Sequence, residues 1–87
     1  MRNRDDTRLV GRVRLFVTPW ARAQMTDTEW RTLRDLDIDA SVHMFAESSR
    51  GPFTVRLTRE GFERIAATRS TLPEALAAVI EAVEKTA

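Results

Sequence analysis

The stretch Ser70-Thr71-Leu72-Pro73-Glu74-Ala75-Leu76, with the run from Gly51 that leads into it, decides the fold. Thr71 is placed to cap the free backbone amides of a helix start. Pro73 fits the first turn, where its missing N–H has no partner to lose. Glu74 stands three residues after Thr71, as a capping box requires, and its charge suits the positive end of the helix. A helix over 72–85 follows, with Leu72, Leu76, Val79, Ile80 and Val83 on its inward stripe. Alanines at 75, 77, 78 and 82 allow it to lie close on a sheet. Upstream, Ser48-Ser49-Arg50-Gly51-Pro52 is a turn by composition. Phe53, Val55 and Leu57 alternate with Thr54, Arg56 and Thr58, which predicts a strand over 53–59. Glu60-Gly61 reads as a two-residue hairpin turn into a fourth strand over 62–68. Phe62, Ile65 and Ala66 also fit a helical face, but Gly61 favours the turn, since it weakens a helix by roughly 1 kcal/mol.

Working back towards the N-terminus, residues 40–47 alternate again. Val42, Met44 and Ala46 face one way; Ser41, His43, Phe45 and Glu47 face the other. Before them, Thr26-Asp27-Thr28-Glu29 is a second capping box, and Trp30, Leu33 and Leu36 recur at helical spacing, predicting a helix over 27–36. Asp35, Asp37 and Asp39 oppose the negative end of that helix and stop it. Thr18-Pro19 ends an alternating run over 9–17, with Leu9, Val13, Leu15 and Val17 on one face and Val10, Arg12, Arg14 and Phe16 on the other. Residues 20–25 are a connector or a short helical turn capped by Thr18. The sum is a small α+β domain over 8–87: strand, helix, three-stranded meander, helix, an antiparallel sheet with both helices on one face. Residues 1–7 are expected to form a disordered polar arm.

With 87 residues the chain is one domain, and its 43% apolar content is ordinary for a globular fold. It has no cysteine, which excludes disulfides and thiolate metal sites and makes a reducing cytoplasm the expected compartment. No apolar run reaches the ~20 residues of a membrane span, and Met1-Arg2-Asn3-Arg4-Asp5-Asp6 lacks the apolar core of a signal peptide. Net charge is +1, with arginines gathered in the first quarter and glutamates in the last third. A small domain without covalent staples gains stability by oligomerising.

From His43 onward the chain resembles two small families. The hairpin strand Gly51-Pro52-Phe53-Thr54-Val55, followed by Thr71, Glu74, Ala75 and Leu76 at a helix start, is similar to the N-terminal, partner-binding domain of HicB-type antitoxins. That resemblance implies a protein-binding, antitoxin-like role. The order helix, three strands, helix over 27–85 resembles the double-stranded-RNA-binding fold. Members of that group that bind RNA carry lysines at the start of the last helix, where this chain has Thr71-Leu72-Pro73-Glu74. HicA-type toxins share the fold and cleave mRNA with a strand histidine, a role that would fall here to His43.

The remaining motifs are weak. His43 is the only histidine, so it makes no His–His metal pair, and as a general base it needs an orienting group, for which Glu47 is the sequence's offer. Asp35, Asp37 and Asp39 alternate like a cation loop but lack the glycine and distal glutamate of a calcium hand. No phosphate-cradling glycine loop is present. Trp30 belongs to the core stripe, and Trp20 is an equal candidate for core or interface. No catalytic residue, metal, cofactor or small-molecule substrate is therefore expected. The constellation that stands out is Arg12, Arg14, Phe16, His43, Phe45 and Arg56, which the alternation puts on the open face of the sheet. Aromatics mixed with arginines suit a protein interface and also suit single-stranded nucleic acid. Near-zero net charge and the scarcity of lysine favour protein. The leading expectation is a non-enzymatic binding module (a small inhibitor, antitoxin-like protein or adaptor) that binds a protein partner and a second copy of itself. An RNA- or DNA-binding regulator is second, and an RNA-cleaving toxin using His43 a distant third.

Overall fold

In the computed structural model, which describes residues 6–59 and 63–86, the alternating segments build one five-stranded sheet in the order β1-β2-β3-β4-β5. The strands are β1 (Asp6–Val10), β2 (Val13–Val17), β3 (Ala40–Ala46), β4 (Phe53–Arg59) and β5 (Arg64–Arg69). Three helices, α1 (Pro19–Arg22), α2 (Asp27–Arg34) and α3 (Leu72–Thr86), complete a single α+β domain. Val13, Leu15 and Val17 of β2, Val42 and Met44 of β3, and Phe53, Val55 and Leu57 of β4 are buried in one cluster with Ala21 of α1, Leu33 of α2, and Leu72, Leu76 and Val79 of α3. All three helices therefore cover the same face, and among the described residues no helix covers the other, open face.

The meander and both capped helices follow the sequence. β3 pairs antiparallel with β4, and β4 with β5, so the segment that fitted either strand or helix is the third strand of the meander, β5. The expected turn at Glu60-Gly61 lies outside the described residues. The α2 capping box is complete, with the Thr26 backbone N–H donating to Glu29 Oε1 at 2.8 Å and the Thr28 N–H to Thr26 Oγ1 at 3.3 Å. At α3, the Glu74 N–H donates to Thr71 Oγ1 at 3.3 Å, and the Thr71 hydroxyl donates to the Glu74 carboxylate at 3.0 Å. Thr18 caps α1 through the Ala21 N–H, at 3.4 Å, and also accepts from the Ala46 N–H at 3.3 Å, which ties the helix to the end of β3.

The N-terminal half departs from expectation. The alternating run 9–17 is a hairpin of β1 and β2, turning at Gly11-Arg12 between the paired Val10 and Val13. Glycine at the first central position with φ +63° is the mark of a type II′ turn. A two-residue turn pairs its flanking residues on one face, so the face assignment changes parity there. Val10 rather than Leu9 sides with Val13, Leu15 and Val17, and Leu9 stands on the open face, 70% exposed. Of the arm expected over 1–7, residues 1–5 lie outside the described residues, while Asp6 and Thr7 belong to β1.

The sheet is mixed rather than antiparallel: β2 and β3 run parallel, Val13 beside Ala40 through Val17 beside Met44. Parallel neighbours need a crossover, which α1 and α2 supply. α2 is shorter than the pattern suggested and ends at Arg34, with Asp37 taking φ +55°. Ile80 is half-buried rather than enclosed, on the flank of α3 that faces α2. Trp30 is half-buried against the core, with the guanidinium carbons of Arg8 and Arg22 each 4.9 Å from its ring centroid, so it joins β1 and α1 to α2. Trp20 remains 48% exposed.

Candidate functional site

Strand alternation sends every second residue to the side of the sheet that no helix covers, and the register arranges these residues in rows. One row crosses all five strands as Thr7, Phe16, His43, Arg56 and Ala66. The next runs Leu9, Arg14, Ser41, Thr58 and Arg64. A shorter row on the other side holds Phe45, Thr54 and Thr68, the last two joined by a hydroxyl–hydroxyl hydrogen bond of 2.9 Å. The centre of this face is half-buried by its own side chains, and Arg14, Arg64 and Leu9 at its border are exposed.

Two contacts order the centre. The Phe16 and His43 rings, side by side on parallel strands, stack with centroids 4.5 Å apart and planes 17° from parallel. Arg56, one strand over, lays its guanidinium 5.6 Å from the Phe45 ring centroid. A cation over an aromatic face is held by the ring quadrupole and gains strength as water is excluded. No aspartate or glutamate occupies any strand position of these three rows, so Arg14, Arg56 and Arg64 set the sign of the face.

Five of the six residues singled out from the sequence meet here: Arg14, Phe16, His43, Phe45 and Arg56. Arg12 does not. It occupies the β1–β2 turn and reaches the loop after α2, donating to Asp39 Oδ2 at 2.8 Å and Asp37 Oδ1 at 3.3 Å. The hydrogen bond to Asp39, then that to Asp37, raises its pKa. Two of the three aspartates that suggested a cation loop, Asp37 and Asp39, thus hold a guanidinium, while Asp35 Oδ1 lies 3.8 Å from Arg34 Nε, and among the described residues no three His, Asp or Glu side chains are grouped to hold a metal ion. His43 has Phe16 and Arg56 as its cross-strand neighbours, while Glu47 stands beyond the end of β3. Sequence reasoning missed Arg64 and Leu9. Both depend on hairpin register, and the signal for Leu9 was the Gly11-Arg12 turn inside an otherwise unbroken alternation.

Among the described residues no helix is long and apolar enough to cross a membrane. No family model, curated protein or solved structure matches this chain.

Proposed function

We propose that this protein is a non-enzymatic binding module whose open sheet face receives an acidic surface of a partner protein. The observation that carries the reading is a face with aromatic rings at its centre, Arg14, Arg56 and Arg64 around them, and no carboxylate at any strand position. Aromatic and arginine side chains are the groups most favoured at the energetic centre of protein interfaces. Uncompensated positive charge around them steers an acidic partner and rejects a basic one.

The ring geometry favours protein over single-stranded nucleic acid. Base stacking needs a ring face turned outward. Here Phe16 and His43 each cover one face of the other, and Arg56 lies over the Phe45 ring, which reduces the ring surface left to receive a base. Charge also bears on self-association. Two copies meeting through this face would bring their arginines together without a carboxylate between them. A second copy is better placed at the outer edge of β1, where Leu9 is exposed and, among the described residues, no further strand pairs with β1, so that its outward-facing backbone groups can extend the sheet. A small inhibitor, antitoxin-like protein or adaptor would work in this way.

The test is affinity capture from nuclease-treated lysate of the native host, with wild-type protein and an Arg14→Glu/Arg56→Glu variant as baits and mass spectrometry of the bound proteins. A protein held by the wild type and lost from the charge-reversed variant, at unchanged melting temperature, supports the reading. Binding only to single-stranded RNA added in place of lysate, with affinity falling steeply in salt, would overturn it in favour of a nucleic-acid-binding regulator.

A further inference from the structure

On the opposite side of the sheet, α2 packs chiefly on β1, and α3 on β4 and β5, so the two helices stand apart across the middle of the molecule. Between them runs a groove of about 1250 Å³, continued towards Ile38 by a smaller one of about 370 Å³. Its apolar lining comes from Leu36, Ile38, Leu76, Ala77 and Ile80. The rims are acidic: Glu81 and Glu84 of α3 face Thr28, Thr32 and Asp35 across the gap. Arg69, at one end, is the sole basic residue in the lining among the described residues. Glu29 and Glu74 also line it but are engaged at the caps of their own helices. Neither Glu81 nor Glu84 forms an ion pair or side-chain hydrogen bond with a described residue.

We infer that this groove is a second docking site, and that its occupant is a short amphipathic helix of a partner protein, with basic residues flanking an apolar stripe. The charge of the rims decides the class. An apolar stripe fills the lining that holds Ile80 half-exposed, and flanking lysine or arginine ammonium and guanidinium groups reach carboxylates that have no partner among the described residues. A helix laid in a groove uses the same i, i+3, i+4 anchors as a core helix. From Pro73 to Glu84 the wall is about 16 Å long, enough for three helical turns. The open sheet face is basic and this face acidic, so the two surfaces select partners of opposite charge. The inference stands on the groove alone and does not depend on what the sheet face binds.

The experiment uses a display library of 14-residue helical peptides with a fixed leucine stripe and flanking positions varied among lysine, serine and glutamate. Selection against the full chain is expected to enrich lysine at the flanks. Calorimetry with the selected peptide should show about tenfold weaker binding, some 1.4 kcal/mol, for Ala77→Arg, which fills the groove from an exposed helix position. Glu81→Lys/Glu84→Lys should weaken it as much, and Arg14→Glu/Arg56→Glu should leave it unchanged. Circular dichroism of each variant separates loss of binding from loss of fold. Enrichment of glutamate, no enrichment, or binding indifferent to both groove variants would overturn the inference. So would wild-type self-association abolished by Glu81→Lys/Glu84→Lys, which would make the basic face of another copy the occupant.

Discussion

Gly11 shows how one residue fixes the arrangement of the N-terminal half. Its φ of +63° is strained for any residue with a side chain, and a Cβ there would stand 2.9 Å from the Arg34 carbonyl oxygen at the end of α2. The turn therefore both reverses the chain and presses against the crossover. Gly11→Ala is expected to destabilise the domain by about 1–2 kcal/mol from the left-handed backbone alone, read as a lower urea midpoint. A midpoint equal to wild type would mean that the turn relaxes freely. Arg12, beside it, is solvent-exposed, and its pairing with Asp37 and Asp39 is of the kind that contributes little to stability. Arg12→Ala should leave capture of the sheet-face partner intact, in contrast to Arg14→Glu/Arg56→Glu. Loss of capture in that variant would put the turn back into the binding surface.

Among the elements, α3 and the meander were legible because several independent signals agreed. Thr71, Pro73 and Glu74 mark the helix start, and β4 alternates without a break between a turn and a hairpin. Thr71→Ala should lower stability by about 0.5–2 kcal/mol, because the Glu74 N–H loses its acceptor. An unchanged thermal melt would assign the cap to Ser70 instead. The β1–β2 hairpin was not legible from period alone. Leu9 and Val10 are both apolar, so either parity satisfies the pattern, and only the turn chemistry of Gly11-Arg12 separates them. The parallel pairing of β2 with β3 was hidden for a related reason. Alternation reports faces, not strand direction, and direction depends on the crossover through α1 and α2. Ile80 fits the α3 stripe by spacing, but it lies on the flank where α2 stands off. Its cost on truncation should accordingly fall below that of Leu76, for which Leu76→Ala should remove about 2–5 kcal/mol.

At the scale of the whole molecule, one sheet separates its enclosed core from the proposed binding face by the alternation of its strands. On β3, Val42 and Met44 are enclosed by helices, while His43 and Phe45, which alternate with them, look out beside Phe16 and Arg56. The candidate face was legible to the extent that β3 and β4 were: those strands are central, and their register follows from a meander. Arg64 and Leu9, on the two outer strands, needed the turns. This division predicts two separable phenotypes from adjacent residues. Met44→Ala opens a cavity under α1 and the crossover and should cost about 2–5 kcal/mol, with the denaturant slope unchanged. Phe45→Ser removes a half-exposed ring that contacts Arg56, and its stability cost should stay near 1 kcal/mol, the scale of a partly solvated cation–π contact. The same substitution, combined with Phe16→Ser, should abolish partner capture, because it empties the apolar centre around which the arginines are arranged. The comparison is made by urea unfolding and by capture on the same three proteins. Equal destabilisation by Met44→Ala and Phe45→Ser would mean that the outer face is a second core, and the proposed binding surface would lose its physical basis.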